Sequence, residues 1–111
     1  MTSISEMELL RIFVGESDKH QGKSLFEVII HEAHQQGLAG ATVLQGTLGF
    51  GASHHIHTTK VLRLSGDLPV VIEIVDQSEK IASFLKHLKG ILKGGLVTLE
   101  KVKAFRVGES S

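Results

Sequence analysis

The run Pro69-Val-Val-Ile-Glu-Ile-Val-Asp76 constrains this chain more than any other stretch. From Val70 to Val75 it is apolar except at Glu73, and it is rich in β-branched residues, which favour extended backbone. A half-buried strand alternates apolar and polar side chains, whereas a strand with almost no alternation has both faces covered. Pro69 can begin such a strand but cannot sit inside it, because it has no N–H to give to a ladder. The run therefore reads as a central strand. The rest of the 111 residues must supply its neighbours and cover its faces.

Residues 1–8 are polar and read as a flexible N-terminus. Leu9-Leu-Arg-Ile-Phe-Val14 then makes a first strand ending at Gly15. After a polar loop, Ser24 stands as an N-cap with Glu27 at the capping-box position. Leu25, Phe26, Ile29, Ile30 and Ala33 follow at helical spacing, which predicts about three turns stopping at Gly37. Ala41-Thr-Val-Leu44 opens a second strand that runs to Gly51 past Gly46 and Gly49, and Ala52–Thr59 is a loop. Lys60–Leu64 reads as a short strand or the far arm of a hairpin. Beyond the central strand, Asp76 or Ser78 caps a second helix with Ile81, Phe84, Leu85, Leu88 and Leu92 on one face, broken at Gly94-Gly95. The last strand spans Leu96–Val107. Val97 and Leu99 differ in parity from Val102, which predicts a bulge or a register change near Glu100.

The order is β-α-β, a loop, then β-α-β. Right-handed crossovers place both helices on one face of a four-stranded antiparallel sheet. The expected class is α+β, a ferredoxin-like β-α-β-β-α-β sandwich in one domain over residues 9–108. Two helices leave the second sheet face bare, so the apolar strands imply self-association through it. Aromatics are 5% of the chain, all of them Phe, so the core must be built from Val, Ile, Leu and Ala. Lys plus Arg and Asp plus Glu balance at 12 each, which gives no basic face for nucleic acid and no acidic tail. With no cysteine, disulfides, thiolate metal sites and cysteine nucleophiles are excluded. Residues 1–8 lack the basic and apolar regions of a secretory signal, and no apolar run approaches the ~18 residues of a membrane span. The expectation is a cytoplasmic protein.

Three clusters are candidates for chemistry. Gly49-Phe50-Gly51 lets backbone amides approach a ligand, as glycine-rich turns do around phosphate. His54-His55-Ile-His57 puts two imidazoles on one side of an extended segment, a pattern suited to a divalent metal, with Glu16 or Asp18 available to complete a shell. The same histidines also suit a solvated loop that binds nothing, or a contact with a nucleotide or a partner. Glu16, Asp18, Lys19, His20 and Lys23 follow the first strand, where they can bond a ligand or simply hold the loop. No nucleophile and base stand out as a pair, so the chain is not read as an enzyme. His31, His34 and His87 read as ordinary helix-surface positions.

Several separated motifs, in order, resemble one family. Gly37-Leu-Ala-Gly-Ala-Thr-Val43 running on to Gly49-Phe50-Gly51 is similar to the passage from the first helix into the second strand of P-II signal-transduction proteins. Val71-Ile-Glu-Ile-Val75 is similar to their third strand, and Arg106-Val-Gly-Glu109 to their C-terminal Arg-Thr-Gly-Glu. Gly15-Glu16-x-Asp18-Lys19-x-x-Gly22-Lys23-x-Leu25 and the Gly-Phe-Gly-x-x-His pattern resemble more closely the P-II-like proteins of domain-of-unknown-function family 190. The resemblance covers residues 8–109. It implies a homotrimer binding a small anionic effector, an adenine nucleotide, in clefts between subunits. Gly49, Gly51, Lys93, Gly94, Gly95 and Arg106 are the ligand residues it implies, with Glu16 and Asp18 beside them. It further implies that the loop between the second and third strands, here Ser53, His54, His55 and His57, docks on a regulated partner such as a membrane transporter or channel. Ala104 replaces a second arginine of that family, and Gly90-Ile-Leu-Lys-Gly-Gly95 replaces its longer glycine-rich loop. With no Tyr in the chain, the modification some P-II proteins undergo on that loop has no acceptor. The rival reading is a trimeric metal-binding protein built on His54, His55 and His57.

Overall fold

The computed structural model describes residues 3–50, 57–58 and 68–108. In chain order its elements are β1 (Ser5–Gly15), β2 (Lys19–His20), β3 (Lys23–Ser24), α1 (Leu25–Gln35), β4 (Thr42–Gln45), β5 (Leu48–Gly49), β6 (His57–Thr58), β7 (Pro69–Asp76), α2 (Ser78–Leu88) and β8 (Leu96–Ala104). The apolar run forms β7, an interior strand of a sheet ordered β4-β7-β1-β8, with every pair antiparallel. This is the α+β, ferredoxin-like arrangement expected. Ile12 pairs with Ile72 on one side and Val97 on the other, so the two interior strands meet at the centre of the core.

Alternation along the strands sorts their side chains. Leu10, Ile12 and Val14 of β1 and Val70, Ile72 and Ile74 of β7 point to one face and pack with Leu25, Ile29 and Ala33 of α1 and Ile81, Phe84 and Leu88 of α2. Each fully buried Val, Leu, Ile or Phe side chain among them contributes about 1.5–3 kcal/mol against leaving it in water. The opposite parity, including Leu9, Phe13, Val71, Val75, Leu44 and Leu96, carries apolar side chains that no helix among the described residues covers. Leu44 and Leu96 are 49% and 59% exposed.

The local details depart from the sequence expectation at several points. Ser5–Glu8 are part of β1, and Ser5 pairs with Ala104. β8 pairs with β1 in one unbroken register from Leu96 to Ala104, so there is no bulge at Glu100. The parity change arises because Val97 and Leu99 face the helices while Leu96 and Val102 face the open side. Ser24 does hold the N-cap position of α1, but its hydroxyl makes no capping bond and is buried without a partner. The α1 stop matches: Gly37 N–H donates to His34 O and Leu38 N–H to Ala33 O, a Schellman closure. Gln77, not Asp76 or Ser78, holds the N-cap position of α2, without a side-chain capping bond, and the helix ends at Leu88, six residues short of Gly94. The second strand breaks after Gln45, and Leu48–Gly49 pair instead with His57–Thr58 as a separate two-stranded ribbon.

Candidate functional site

Most of the expected ligand residues that fall among the described residues gather where β1 and β4 end and β7 and β8 begin. Gly15 pairs with Pro69 there, and Phe13 pairs with Leu96. Asp18 folds the turn after β1: its Oδ2 accepts from Gly15 N–H at 2.9 Å, and its carbonyl accepts from Leu25 N–H at 2.8 Å. This carboxylate is committed to the turn. Glu16 N–H donates to Leu68 O at 2.8 Å, and its carboxylate accepts from Gln45 Nε2, tying β4 to β1 across β7.

The glycines at this end divide by what they touch. A Cβ on Gly49 would stand 3.0 Å from Pro69 Cγ, and one on Gly46 2.8 Å, so both let the β4–β5 segment lie against the proline that opens β7. Gly95 has φ +99°, and a Cβ there would meet Phe13 O at 2.6 Å. Its glycine is required by the start of β8. Gly94 faces open space, and Lys93 beside it is exposed. Gly51, Ser53, His54 and His55 lie outside the described residues, and His57 enters only through its strand pairing with Gly49. Among the described residues no group of three or more His, Asp or Glu is arranged to hold a metal ion. Of the other histidines, His87 Nε2 lies 2.7 Å from Glu32 Oε2, linking α2 to α1, and His31 contacts Gln35.

Arg106 lies at the opposite end of the sheet. It follows β8, whose eight residue steps from Leu96 to Ala104 span roughly 26 Å. A cleft of 330 Å³ opens there on the sheet face opposite the helices, lined by Met7, Ala39, Thr42, Glu73, Val75 and Arg106 among others. The Ala39 segment is held by Asp76, a buried carboxylate whose Oδ2 accepts from Ala39 N–H at 2.9 Å while Oδ1 accepts from Gln77 N–H at 2.7 Å. Sequence reasoning did not single out Thr42, Glu73 or Val75. The available signal was Glu73 itself, the one polar residue inside the apolar central run.

Glu73 also belongs to an ion cluster. Arg11 Nε donates to Glu73 Oε2 at 2.9 Å, and Arg11 Nη1 approaches Glu100 Oε1 at 3.3 Å. The bond to Glu73 is the main cause of a pKa for Arg11 above its ordinary value, so the guanidinium stays charged throughout the working pH range. The cluster bridges β7, β1 and β8 on the open face.

The sequence model of the DUF190 family, described as an uncharacterized ACR, matches residues 7–104. A UPF0166 protein of Aquifex aeolicus is 40% identical over 100 residues, covering 90% of this chain and 94% of its own length. Among solved structures, CPII of Thiomonas intermedia, a nitrogen regulatory PII-like protein bound to ADP, AMP and bicarbonate, superposes with a TM-score of 0.67 at 15% identity, covering 94% of this chain and 98% of its own. The GlnK–ATP complex of B. subtilis superposes at 0.58 and 15% identity, covering 87% and 82%. The fold is therefore that of PII-like proteins. No helix among the described residues is long and apolar enough to cross a membrane.

Proposed function

This chain belongs to the DUF190 family, and we propose that it is a cytoplasmic, non-enzymatic P-II-like regulatory protein. It assembles as a homotrimer, binds an adenine nucleotide in clefts between copies, and acts on a partner protein through the loop that carries Ser53, His54, His55 and His57. A membrane transporter or channel is the partner class the family resemblance implies.

One observation carries this reading. Lys93 and Gly94, which present an exposed cation and an open backbone, lie at one end of the sheet, and Arg106 lies at the other. Within one copy they are too far apart to hold the same small anion. In the proposed trimer a second copy laid against the sheet face opposite the helices supplies its Lys93–Gly94 end to the Arg106 end of the first. The cleft around Arg106 opens on that same face, so covering the face and completing the site are one event. Nucleotide-bound PII-like neighbours support the choice of ligand.

Mixed oligomers test the division of the site. Arg106→Ala and Lys93→Ala should each abolish calorimetric ADP binding alone. Co-assembled at equal amounts, they should regain about a quarter of the clefts, because a cleft is intact wherever each chain supplies its undamaged half. No recovery on mixing, or a monomer by light scattering at micromolar concentration, would refute the shared cleft.

A further inference from the structure

The Arg106 cleft has a carboxylate in its wall. Glu73 lines it, with a side chain only 32% exposed. An unpaired carboxylate in that position repels any anionic group brought to Arg106, and partial burial weakens the screening that water would supply. Arg11 faces Glu73 from the neighbouring strand, bonds it at 2.9 Å, and is not among the residues lining the cleft. Arg11 offsets the formal negative charge of Glu73 beside Arg106; without Arg11 that charge stands uncompensated in the cleft wall. Glu100 shares Arg11 at the longer distance of 3.3 Å, but its side chain is 62% exposed, so water solvates its charge.

We propose that Arg11 is a specificity-determining residue of the Arg106 cleft, neutralising Glu73 so that the cleft selects an anionic ligand over its uncharged analogue. The inference rests on the reading that this cleft takes a nucleotide, and adds the residue that sets the charge class. Arg11 acts through Glu73 and is a positioning residue, not a ligand contact. It holds one Glu73 carboxylate oxygen on the β1 side.

The test compares ADP with adenosine by calorimetry on the full chain. Arg11→Met keeps the length of the apolar stem and removes the charge. It should weaken ADP about five- to tenfold and leave adenosine within about twofold, with the loss shrinking at high salt. Adding Glu73→Gln to Arg11→Met should restore ADP affinity to near wild type, because the wall is then neutral again. Glu73→Gln alone should tighten ADP several-fold. That arm keeps the inference falsifiable if Arg11→Met fails to fold. A structural role for Arg11 would reduce ADP and adenosine alike, with no rescue by Glu73→Gln, and that result overturns the inference. So does unchanged ADP binding in Arg11→Met, or weaker ADP binding in Glu73→Gln alone. If the wild type binds no ADP, the nucleotide reading fails first and this inference falls with it. If the wild type binds and only the Arg11 pattern is absent, the nucleotide reading stands.

Discussion

Replacing Gly95 by Ala separates two roles that the family resemblance assigns alike to Gly94 and Gly95. Gly95 holds φ +99°, a conformation that costs a residue with a Cβ roughly 1–2 kcal/mol. The new methyl would stand 2.6 Å from Phe13 O. Phe13 is paired with Val71 on one side and Leu96 on the other, so its carbonyl cannot swing aside without breaking a ladder. The first residues of β8 must move instead, an overpacking strain of about 1–3 kcal/mol. The sum centres on about 3.5 kcal/mol, and for a domain of this size it lowers the melting temperature by roughly 12–25 °C. Urea titration and thermal melts at a fixed protomer concentration measure it, since the proposed self-association would make stability concentration-dependent. Gly94→Ala is the control: its Cβ meets nothing within 4 Å, so stability should stay within about 0.5 kcal/mol while ligand binding falls. Gly95→Ala melting within a few degrees of wild type would refute the close-approach argument. A destabilised Gly94→Ala would refute the assignment of Gly94 to the ligand.

Asp76→Ala removes the acceptor for both Ala39 and Gln77 N–H, and should cost about 2–4 kcal/mol in urea unfolding because two charge-assisted bonds are lost at a buried site. It should also weaken ligand binding, since Ala39 frames the Arg106 cleft; unaltered stability would show that water replaces the carboxylate. Leu44→Glu places a charge on the sheet face opposite the helices, where Leu44 is already 49% exposed. It should leave the fold intact by circular dichroism and convert the oligomer to monomer by light scattering; an unchanged mass would mean that the face is not the contact.

The order of elements was legible because each signal is local. β-branched runs mark β1 and β7, and the helix-spaced apolar residues from Leu25 to Ala33 and from Ile81 to Leu88 mark the two helices. Element ends were less legible, because they depend on partners far along the chain. Ser5–Glu8 look polar and loose, yet pairing with Lys101–Ala104 holds them in the sheet. Asp76 looks like a helix cap, but its carboxylate is drawn to Ala39, thirty-seven residues upstream. The site divides in the same way. Gly49 and Gly95 stand out as glycines, but the sequence cannot distinguish a glycine that admits a ligand from one that admits Pro69 or the carbonyl of Phe13. Arg106 stands out as a motif, while Thr42 and Val75 become cleft residues only through the β4-β7-β1-β8 strand order.

The parity of β8 and the ion cluster answer the same physical problem. A two-layer α+β fold should show alternation in its strands, yet β7 is apolar on both faces and β8 places Leu96 and Val102 opposite Val97 and Leu99. An apolar patch of that kind on a second face marks a surface suited to being covered by something apolar. The face is not uniformly apolar, since Arg11 and Glu73 sit at its centre. Burying a charge without a partner costs several kcal/mol, whereas a paired and hydrogen-bonded set is tolerated. The cluster carries one excess negative charge per copy, counting Arg11 against Glu73 and Glu100. Exposure of those side chains runs from 32% at Glu73 and 38% at Arg11 to 62% at Glu100. The excess therefore lies on the edge strand β8, where water can solvate it, and the pair nearest the cleft is the neutral one. A second copy can cover the apolar surface without enclosing an unpaired charge only if Arg11 stays on Glu73, so the residue proposed to set ligand charge also makes the face fit to be covered.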